Sequence, residues 1–390
     1  MREGCVLKTL GDLFSIGSSK RVYESQWRTK GVPFYRAREI VRLSRDGYVD
    51  NELFIDEELY VELSSKYGIP KAGDIMVTGV GTLGICYIVK ENDRFYFKDG
   101  NTLWFKTKEG TNPQYVQYAF KSEFLRRQID NCVGATVGTF TIERANKTTI
   151  PVPSFEEQER IVAELDLLTG IIDKQKQQLK ELDTLAQSIF YDMFGNPDTN
   201  SKGWLVKKLG ELCKSDLGKT LNASKDTGKM RPYLCAINIH WNEIDLSTLK
   251  QTKFEDEELE RYSVVKGDLL VCEGGDVGRS AIWKEDKVIQ YQNALHRIRF
   301  GKEIIAIYCL FVLQYLKVNG ILDGRYGKGV TIKHLVKSSL LSIPIPVPPI
   351  EFQREFADKI QAIESQKESI NRSLAESQKL FDYTMDKYFG

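Results

Sequence analysis

The chain contains one sequence pattern twice, and this duplication restricts its possible folds more than any other feature. The segment IPVPSFEEQ at residues 150–158 recurs as IPVPPIEFQ at 345–353, an offset of 195 in a chain of 390 residues. The same offset relates MFG at 193–195 to YFG at 388–390. Blocks that recur at a fixed spacing indicate a structural unit that is built more than once. We therefore expect two copies of one architecture.

Shorter matches extend the repeat over the whole chain. LGDL at 10–13 recurs as LGEL at 209–212, and KAGDIMVTGVGTLGICYIVK at 71–90 recurs as VKGDLLVCEGGDVGRSAIWK at 265–284. In each copy a β-rich segment leads through a proline-marked exit into one long helical segment. We predict an α+β fold, in which a mixed α/β domain followed by a long helix is duplicated in tandem. The predicted bounds are 1–150 and 196–345 for the two domains, and 151–195 and 346–390 for the two helical segments.

The stretch TGVGTLG has the spacing of a dinucleotide-binding loop, Gly79-x-Gly81-x-x-Gly84. In such a loop, a strand leads through the glycines into a helix whose N-terminus faces the phosphates. Here the glycines are followed by ICYIVK at 85–90, which is typical of a second strand. The other copy has Glu273 in place of the first glycine. Both observations predict a β-hairpin that belongs to the repeated scaffold.

The helical segments carry residues at alternating spacings of four and three, the heptad pattern of a coiled-coil seam. In the first copy these positions are Ile161, Leu165, Leu168, Ile172, Gln175, Leu179, Leu182, Ala186, Ile189 and Met193. Their counterparts 195 residues later are Phe356, Ile360, Ile363, Lys367, Ile370, Leu374, Ser377, Phe381, Thr384 and Tyr388. Residues 161–193 would span about 48 Å as a helix, which is too long for one small domain to cover.

The repeat supplies each helix with a partner, so we predict that the two helices form a coiled coil. The residues expected to form this coiled-coil and partner-binding element are Leu165, Leu168, Leu179, Leu182, Ile360, Ile363 and Leu374. Two amphipathic helices, each packed on its own domain, are the alternative. Ser154 and Glu157 predict a capping box at the first helix start, whereas the second copy has Pro349 and Phe352 there.

Charge is distributed unevenly, although the chain as a whole has a net charge of only +1. The two β-rich segments carry net charges of +3 and +5, and the two helical segments −5 and −2. Clustered cations suit contacts with nucleic-acid phosphates, and nearby polar side chains can recognise base edges. A solvated basic surface is the alternative. The candidate DNA-binding residues are Lys20, Arg21, Arg36, Arg38, Lys219, Lys225, Asn238, His240 and Lys328.

Two of these clusters lie in segments whose composition suggests strands, PFYRAREI at 33–40 and RPYLCAINIH at 231–240. Alternate residues of a strand point to the same side. Arg36 and Arg38 would then share one face, from which arginine can bind guanine. Asn238 and His240 would share another, from which asparagine can bind adenine. The competing interpretation pairs the two arginines with acidic neighbours such as Glu39 or Asp46.

No catalytic or cofactor motif stands out in the chain. NPQY at 112–115 resembles the tetrapeptide with which amino-methyltransferases hold a target base, but no glycine-rich S-adenosylmethionine loop precedes it. Asn112 and Pro113 instead predict the cap and first residue of a helix. There is no GxxxxGK[ST] sequence, no recognisable Ser/His/Asp arrangement, and only three dispersed histidines. We expect no catalytic residue, no metal site and no cofactor.

The cysteines and the apolar runs bear on the compartment. Seven scattered cysteines without a CxxC motif favour reduced thiols and a cytoplasmic location. No run approaches the roughly 20 apolar residues of a membrane span, and the first residues lack the apolar core of a signal peptide. LGDL already begins at residue 10, so we expect no separate helical region before it.

The repeated blocks resemble the specificity (S) subunits of type I restriction–modification systems. The resemblance lies in IPVPSFEEQERIVAELD, in the long helix ending MFGNP, in GWLVKKLGELC, and in the two copies KAGDIMVTGVGTLG and VKGDLLVCEGGDVG. It covers essentially all 390 residues. In that family two target-recognition domains each bind one half of a split double-stranded DNA sequence, and two long helices pack antiparallel between them.

The resemblance also implies partners. Methyltransferase (M) subunits, expected in two copies, would bind the helices, and restriction (R) subunits would join the complex. Methylation and cleavage, with S-adenosylmethionine, ATP and Mg²⁺, would belong to those partners. Base-recognising residues in the family vary with the target, so none is carried over.

Two other function classes remain to be distinguished. One is a single-chain DNA adenine methyltransferase with a degenerate NPQY site, which tight binding of S-adenosylmethionine by the isolated chain would favour. The other is a coiled-coil scaffold without a DNA role, which the basic character of both β-rich segments disfavours.

Overall fold

The computed structural model describes residues 5–130, 138–222, 226–329 and 333–390. The chain divides into two compact units. The first unit contains residues 1–176 and 371–390, and the second contains residues 177–370. Both division points lie within long helices, so each helix contributes one part to each unit.

The first unit begins with a short strand and helix and continues as a mixed α/β domain. Its strands are β1 (Val6–Thr9), β2 (Phe14–Gly17), β3 (Val32–Tyr35), β4 (Phe54–Ile55), β5 (Ile75–Thr78), β6 (Cys86–Ile88), β7 (Tyr96–Phe97), β8 (Thr102–Thr107) and β9 (Thr149–Val152). Its helices are α1 (Leu10–Leu13), α2 (Ala37–Asp46), α3 (Glu57–Tyr67), α4 (Pro113–Ala119), α5 (Glu123–Asp130), α6 (Ile142–Lys147) and the first part of α7 (Phe155–Phe194). A 3-10 turn spans Glu24–Gln26.

The second unit repeats this order with its own insertions. Its strands are β10 (Leu205–Lys208), β11 (Cys213–Leu217), β12 (Lys229–Leu234), β13 (Ile239–His240), β14 (Glu243–Ile244), β15 (Lys250–Phe254), β16 (Ser263–Val264), β17 (Leu269–Cys272), β18 (Ser280–Ile282), β19 (Ile289–Tyr291), β20 (Leu295–Phe300) and β21 (Pro344–Val347). Its helices are α8 (Leu209–Leu212), α9 (Glu258–Arg261), α10 (Ala306–Val318), α11 (Lys337–Leu341) and the first part of α12 (Ile350–Phe389). Ala236–Asn238 form a 3-10 turn and Leu322–Tyr326 a π turn.

The sheets of the two units correspond strand for strand at their centres. A four-stranded sheet has the order β2-β8-β5-β6 in the first unit and β11-β20-β17-β18 in the second. All side chains of β5 and β17 are buried, because apolar runs of this kind form central strands covered on both faces. Each unit also contains a second sheet, which is three-stranded in the first unit (β4-β3-β7) and four-stranded in the second (β15-β12-β19-β16). The ribbons β1-β9 and β10-β21 lead into the long helices.

The glycine-rich stretch forms the predicted hairpin in both copies. In the first, β5 pairs antiparallel with β6, with Ile75 opposite Ile88. In the second, β17 pairs with β18 in the same way, with Leu269 opposite Ile282. No helix follows the glycines, so the hairpin prediction is confirmed and the dinucleotide-loop interpretation is excluded.

The long helices pair antiparallel within each unit. In the first unit the Arg160 guanidinium donates to the Tyr388 hydroxyl at 3.0 Å, and Gln175 Nε2 donates to Ser373 Oγ at 2.9 Å. In the second unit Lys367 Nζ lies 2.8 Å from an Asp183 carboxylate oxygen. All twenty predicted seam positions are buried or half-buried, so the heptad prediction is confirmed. Glu157 N–H donates to Ser154 Oγ at 3.3 Å, which is the serine half of the capping box predicted for the first helix start.

The end of each long helix enters a domain core. Phe389, at the end of α12, packs in the first unit with its ring centroid 5.0 Å from that of Tyr115. Phe194, at the end of α7, packs in the second unit with its ring centroid 4.7 Å from that of Tyr308. The helices are therefore integral to both cores.

Candidate nucleic-acid interface

In each unit the glycine hairpin meets two other segments, and we call this meeting point the loop junction. In the first unit Gly79 N–H donates to Asn101 O at 2.9 Å, and Phe140 N–H donates to Gly79 O at 2.9 Å. In the second unit Glu273 N–H donates to Ala294 O at 3.0 Å, and Leu335 N–H donates to Glu273 O at 2.6 Å. The same backbone contacts therefore hold both junctions together.

The glycines follow from the geometry of the hairpin turn. Gly81 and Gly84 both have φ of 71°, and their counterparts Gly275 and Gly278 have φ of 78° and 81°. Glycine adopts this left-handed region without the penalty that a Cβ atom would impose. A Cβ atom at Gly79 would lie 2.9 Å from Phe140 O, so close backbone approach explains this glycine in the first copy.

Basic and aromatic side chains surround the first loop junction. Ser19 Oγ donates to Phe97 O at 2.6 Å, which holds the loop at 18–21 against the segment that leads to Asn101. On this loop the Lys20 ammonium lies 5.9 Å from the Tyr67 ring centroid. Arg21 Nε donates to Asp99 at 3.0 Å while the side chain stays 66% exposed.

A third cation lies in the neighbouring loop. The Lys98 ammonium is 6.0 Å from the ring centroid of Trp27, and Lys98 N–H donates to Tyr35 O at 2.8 Å. Cations held over aromatic rings keep their charge accessible to phosphates, and exposed rings can stack on bases. Lys20, Arg21 and Lys98 therefore form a basic group suited to a nucleic-acid backbone.

The second loop junction borders an open cavity of about 480 Å³, whose lining includes Arg279 and His334. Lys328 N–H donates to His334 O, and His334 N–H donates to Lys328 O, both at 2.8 Å, so these two exposed residues are adjacent. Arg279 reaches the cavity wall and donates to Ala236 O at 2.6 Å. Its buried Nε has no hydrogen-bond partner among the described residues. The junction thus combines donors and acceptors of the kind that can recognise base edges.

His240 belongs to the same part of the second unit. It is exposed on the short hairpin β13-β14, opposite Glu243. The next residue, Trp241, donates its indole N–H to Asp276 at 3.2 Å. Since Asp276 lies in the turn of the β17-β18 hairpin, this contact connects the two hairpins. Lys20, Arg21, His240 and Lys328 are the predicted residues that lie exposed at or near a loop junction.

Arg36 and Arg38 do not share a strand face, so that prediction is wrong. Arg36 is the N-cap of helix α2, and its backbone N–H donates to Glu39 at 2.9 Å. Arg36 and Arg38 also donate side-chain hydrogen bonds to Glu39, and Arg38 donates to Glu52 at 2.7 Å. Burial opposes ionisation of Glu39, but the hydrogen bonds from these arginines prevail and lower its pKa. The competing interpretation, pairing with acidic neighbours, is confirmed.

Lys219 and Asn238 are also engaged inside the protein. Lys219 is buried, with its ammonium 2.6 Å from Glu258 and 3.4 Å from Asp226. Burial disfavours its charged form, but these two carboxylates outweigh that effect and raise its pKa. Asn238 is fully buried in the 3-10 turn, where it accepts from Cys235 N–H at 3.0 Å.

These two residues, like Arg36 and Arg38, are held by contacts within the protein, and their DNA-binding role stays a prediction. Lys225 lies outside the described residues. Residues that the sequence patterns did not single out are Lys98, Arg279 and His334. For Lys98 the sequence does contain a local signal, because this lysine directly follows the aromatic run Phe95–Phe97. Its contact with Trp27 was not predictable, because the two residues are far apart in the sequence.

The predicted helical residues lie along the seam. Leu165, Leu168, Ile360 and Ile363 are buried, and Leu179, Leu182 and Leu374 are half-buried. Their side chains support the helix pair. Apolar side chains of these helices that are exposed are Leu167, Ile171, Leu185, Tyr191, Leu380 and Tyr383.

Other sequence predictions concern chemistry. Asn112 caps helix α4 by accepting from Gln114 and Tyr115 N–H, with Pro113 as the first helical residue, so the helix-start prediction is confirmed. The six cysteines in the described ranges are free thiols. Within those ranges no group of three or more His, Cys, Asp or Glu side chains could hold a metal ion. The described helices include none with the length and apolarity to cross a membrane.

Comparison with known proteins agrees with this architecture. The model of the type I restriction modification DNA specificity domain matches residues 2–184 and again 201–377. A type I restriction enzyme specificity subunit of Haemophilus influenzae is 30% identical over 158 residues, or 40% of this chain and 38% of that protein. The EcoBI specificity subunit of Escherichia coli is 21% identical over 400 residues, or 93% of this chain and 80% of that protein.

A solved chain has the same fold. It comes from work on complex assembly and conformational transition of the type I R-M system, and aligns with a TM-score of 0.63 at 19% identity. The alignment covers 100% of this chain and 98% of that chain. With two matches to the specificity-domain model that together span most of its residues, the chain belongs to the type I restriction–modification DNA specificity subunit family.

Proposed function

We propose that the chain recognises a two-part sequence in double-stranded DNA, with the loop junction of each unit contacting one half-site. One observation carries the proposal. The same backbone contacts form both junctions, whereas the exposed side chains differ. They are Lys20 and Arg21 in one, beside the half-buried Lys98, and Lys328 and His334 in the other. A shared scaffold with different exposed groups is what recognition of two different sequences requires.

The two kinds of side chain have different roles in this proposal. The cations around the first junction contact phosphates, which supplies affinity without sequence preference and makes binding depend on salt. Hydrogen-bonding groups at the second cavity, such as Arg279 and His334, contact base edges. A good bidentate contact discriminates against a wrong base by about 1–3 kcal/mol.

As a recognition subunit, the chain has no catalytic role, and its partners perform the chemistry. Methyltransferase subunits, in two copies, bind the outer surface of the helix pair, where Leu167 and Leu185 are exposed. Leu165, Leu168, Leu179, Leu182, Ile360, Ile363 and Leu374 hold that pair together. Restriction subunits complete the assembly, which acts on DNA in the cytoplasm.

The four predicted segments act as two target-recognition domains, 1–150 and 196–345, and two spacers, 151–195 and 346–390. The alternative of a single-chain adenine methyltransferase is not supported. Its candidate residue Asn112 uses its side-chain oxygen to cap helix α4, at 2.9 Å from Gln114 N and 3.2 Å from Tyr115 N.

A domain exchange tests the proposal. Residues 5–153 are replaced by the equivalent segment of a related subunit, so that both β1 and its partner β9 come from the donor. Because Phe389 packs in the first unit, a second exchange also takes the donor counterpart of 381–390. With the methyltransferase partner present, the modified sites are mapped across a genome.

The expected result is a change in one half-site, with the other half-site unchanged. The matched control exchanges 205–348 and should change only the other half-site. Two results would contradict the assignment of one half-site to each unit. One is a single exchange that alters both half-sites, and the other is that neither exchange alters any half-site.

A further inference from the structure

A buried glutamine joins helix α7 to the first domain. Gln158 is the fourth residue of α7, and its side chain is 1% exposed. Its Oε1 accepts from Asn112 N–H at 2.9 Å, at the start of helix α4. Its Nε2 donates to Pro153 O at 3.1 Å and to Gly110 O at 3.4 Å. One side chain therefore connects the long helix, the proline exit and the loop before α4.

The second unit contains the same arrangement. Gln353 is the fourth residue of α12 and is fully buried. Its Oε1 accepts from Ile305 N–H at 2.9 Å, and its Nε2 donates to Glu303 O and Pro348 O, each at 2.9 Å. The six bonds thus form two matching sets in domains whose sequences otherwise differ widely.

A tyrosine reinforces each glutamine. Tyr115 donates its hydroxyl to Pro151 O at 2.7 Å, and Tyr308 donates to Pro346 O at 2.8 Å. Both rings are buried and also contact Phe389 and Phe194, the end residues of the long helices. We call each set, Gln158 with Tyr115 or Gln353 with Tyr308, a helix clamp.

The chemistry of the clamp requires glutamine. Its amide offers an acceptor and two donors in one plane, which matches one backbone N–H and two carbonyls. Glutamate has the same shape, but it would direct a carboxylate oxygen at those two carbonyls. A buried polar group left without a partner is strongly unfavourable, so the three segments can hardly move apart while the clamp is intact.

We propose that Gln158 and Gln353 are positioning residues that fix the direction in which each DNA-recognising domain leaves its helix, and thereby the spacing between the half-sites. The inference rests on the proposed recognition of a two-part target. Neither glutamine contacts DNA in this proposal. Their effect is on which spacings are accepted, and the bases of each half-site remain the same.

The test is Gln158→Glu in the full complex with its methyltransferase partner, with modified sites mapped by sequencing. Losing one buried set of hydrogen bonds shifts the equilibrium between the clamped and the released domain by about tenfold. We therefore expect modification at spacings one base pair shorter or longer to rise about tenfold relative to wild type. Both half-site sequences should stay the same. Gln178→Glu, at an exposed position of the same helix, should keep the wild-type spacing.

Two further variants make the test decisive. Gln353→Glu should relax the spacing in the same way, and Tyr115→Phe, which removes one hydroxyl, should relax it less. If Gln158→Glu does not assemble, Tyr115→Phe decides the matter. Assembled variants that keep one strict spacing would overturn the proposal. Wild-type modification at sites without two half-sites would instead contradict the proposed function itself.

Discussion

Lys20 is the residue whose exposure and surroundings most directly suggest a phosphate contact. It is exposed beside Arg21 on the loop at 18–21, and its ammonium lies 5.9 Å from the Tyr67 ring centroid. Lys20→Ala should weaken DNA binding for all sequences alike. It should also reduce the slope of log affinity against log salt by about one.

The measurement is a binding titration over a range of salt concentrations. Arg45→Ala is the matched control, because Arg45 is exposed and already pairs with its neighbour Asp46 at 2.7 Å. An unchanged slope in Lys20→Ala, or an equal change in both variants, would remove Lys20 from the phosphate contacts.

We expect His296 to make the stability of the second unit depend on pH. It is fully buried, its Nε2 lies 2.8 Å from Leu335 O, and burial lowers its pKa below the ordinary value of 6.5. The unfolded chain therefore binds a proton first as the pH falls. The stabilisation is complete above pH 6.5 and is lost as the pH falls from there towards the lowered folded-state pKa.

We expect the melting temperature to fall between about pH 7.5 and pH 5.5. The fall should be smaller in His296→Leu, which cannot take up the proton. His240→Leu, at an exposed position, is the control for the replacement of a histidine by leucine. If the melting temperature of His296→Leu falls with pH as it does in wild type, a group other than His296 causes the pH dependence.

Single residues also show where sequence patterns mislead. The alternation in PFYRAREI suggested a strand, yet Arg36 caps a helix because Glu39 lies three residues on and accepts from its N–H. That spacing was a visible local signal. No local signal indicated the ion pair of Lys219, because its partner Glu258 is 39 residues away in the sequence. Its burial depends on long-range packing that a linear pattern does not contain.

At the scale of elements, the helix pair has one register in both units. The contacts Arg160 with Tyr388, Gln175 with Ser373, and Asp183 with Lys367 have residue numbers that add up to 548 or 550. A heptad inserted in one helix alone would give the two units different registers. A heptad after Leu179 together with one after Leu374 keeps a single register, because each unit then contains one shifted helix end.

The double insertion lengthens the pair by about 10.5 Å, close to three base-pair steps of about 3.4 Å. We expect the unspecified gap between half-sites to grow by about three base pairs, with both half-site sequences unchanged. Efficiency should fall, because three base pairs also rotate the DNA by nearly a third of its roughly 10.5-base-pair turn. The readout is a map of methylated positions.

The single insertion after Leu179 is the control and should reduce activity strongly at every spacing. An active double-insertion variant with the original gap would show that the helices bind partners without setting the distance.

Elements differed in how far their sequences predicted them. The seam and the glycine hairpin were predictable, because a heptad and a strand-turn-strand pattern are local and each occurs twice. The sheet order was not, since β8 lies between β2 and β5 through contacts distant in sequence. The two glutamines, Gln158 and Gln353, were visible in the sequence because each ends a matching tripeptide, EEQ or EFQ. Their role depends on the loops before α4 and α10, which the repeat does not reveal.

For the whole molecule, the shared helices mean that equivalent residues stabilise opposite domains. Phe194 and Phe389 are related by the offset of 195, but the first packs in the second unit and the second in the first unit. Replacing a buried phenylalanine with alanine costs about 3–5 kcal/mol. Phe389→Ala should therefore weaken the first unit, and Phe194→Ala the second.

Hydrogen exchange followed by mass spectrometry shows which unit each substitution weakens. In Phe389→Ala the amides of β5 and β8 should exchange faster, while those of β17 and β20 keep their protection. Phe194→Ala should give the reverse pattern. Equal loss of protection in both units would mean that they unfold together.

The split first unit has a consequence for synthesis on the ribosome. Residues 177–370 are continuous, so all parts of the second unit are available once its last residue has emerged. The first unit lacks residues 371–390 until the ribosome has moved past the second unit. Until then Ile161, Leu165 and Tyr115 have no Phe389 or Tyr388 to cover them. The domain that is synthesised first is thus completed last, and its exposed apolar surface during that interval is where chaperones would bind.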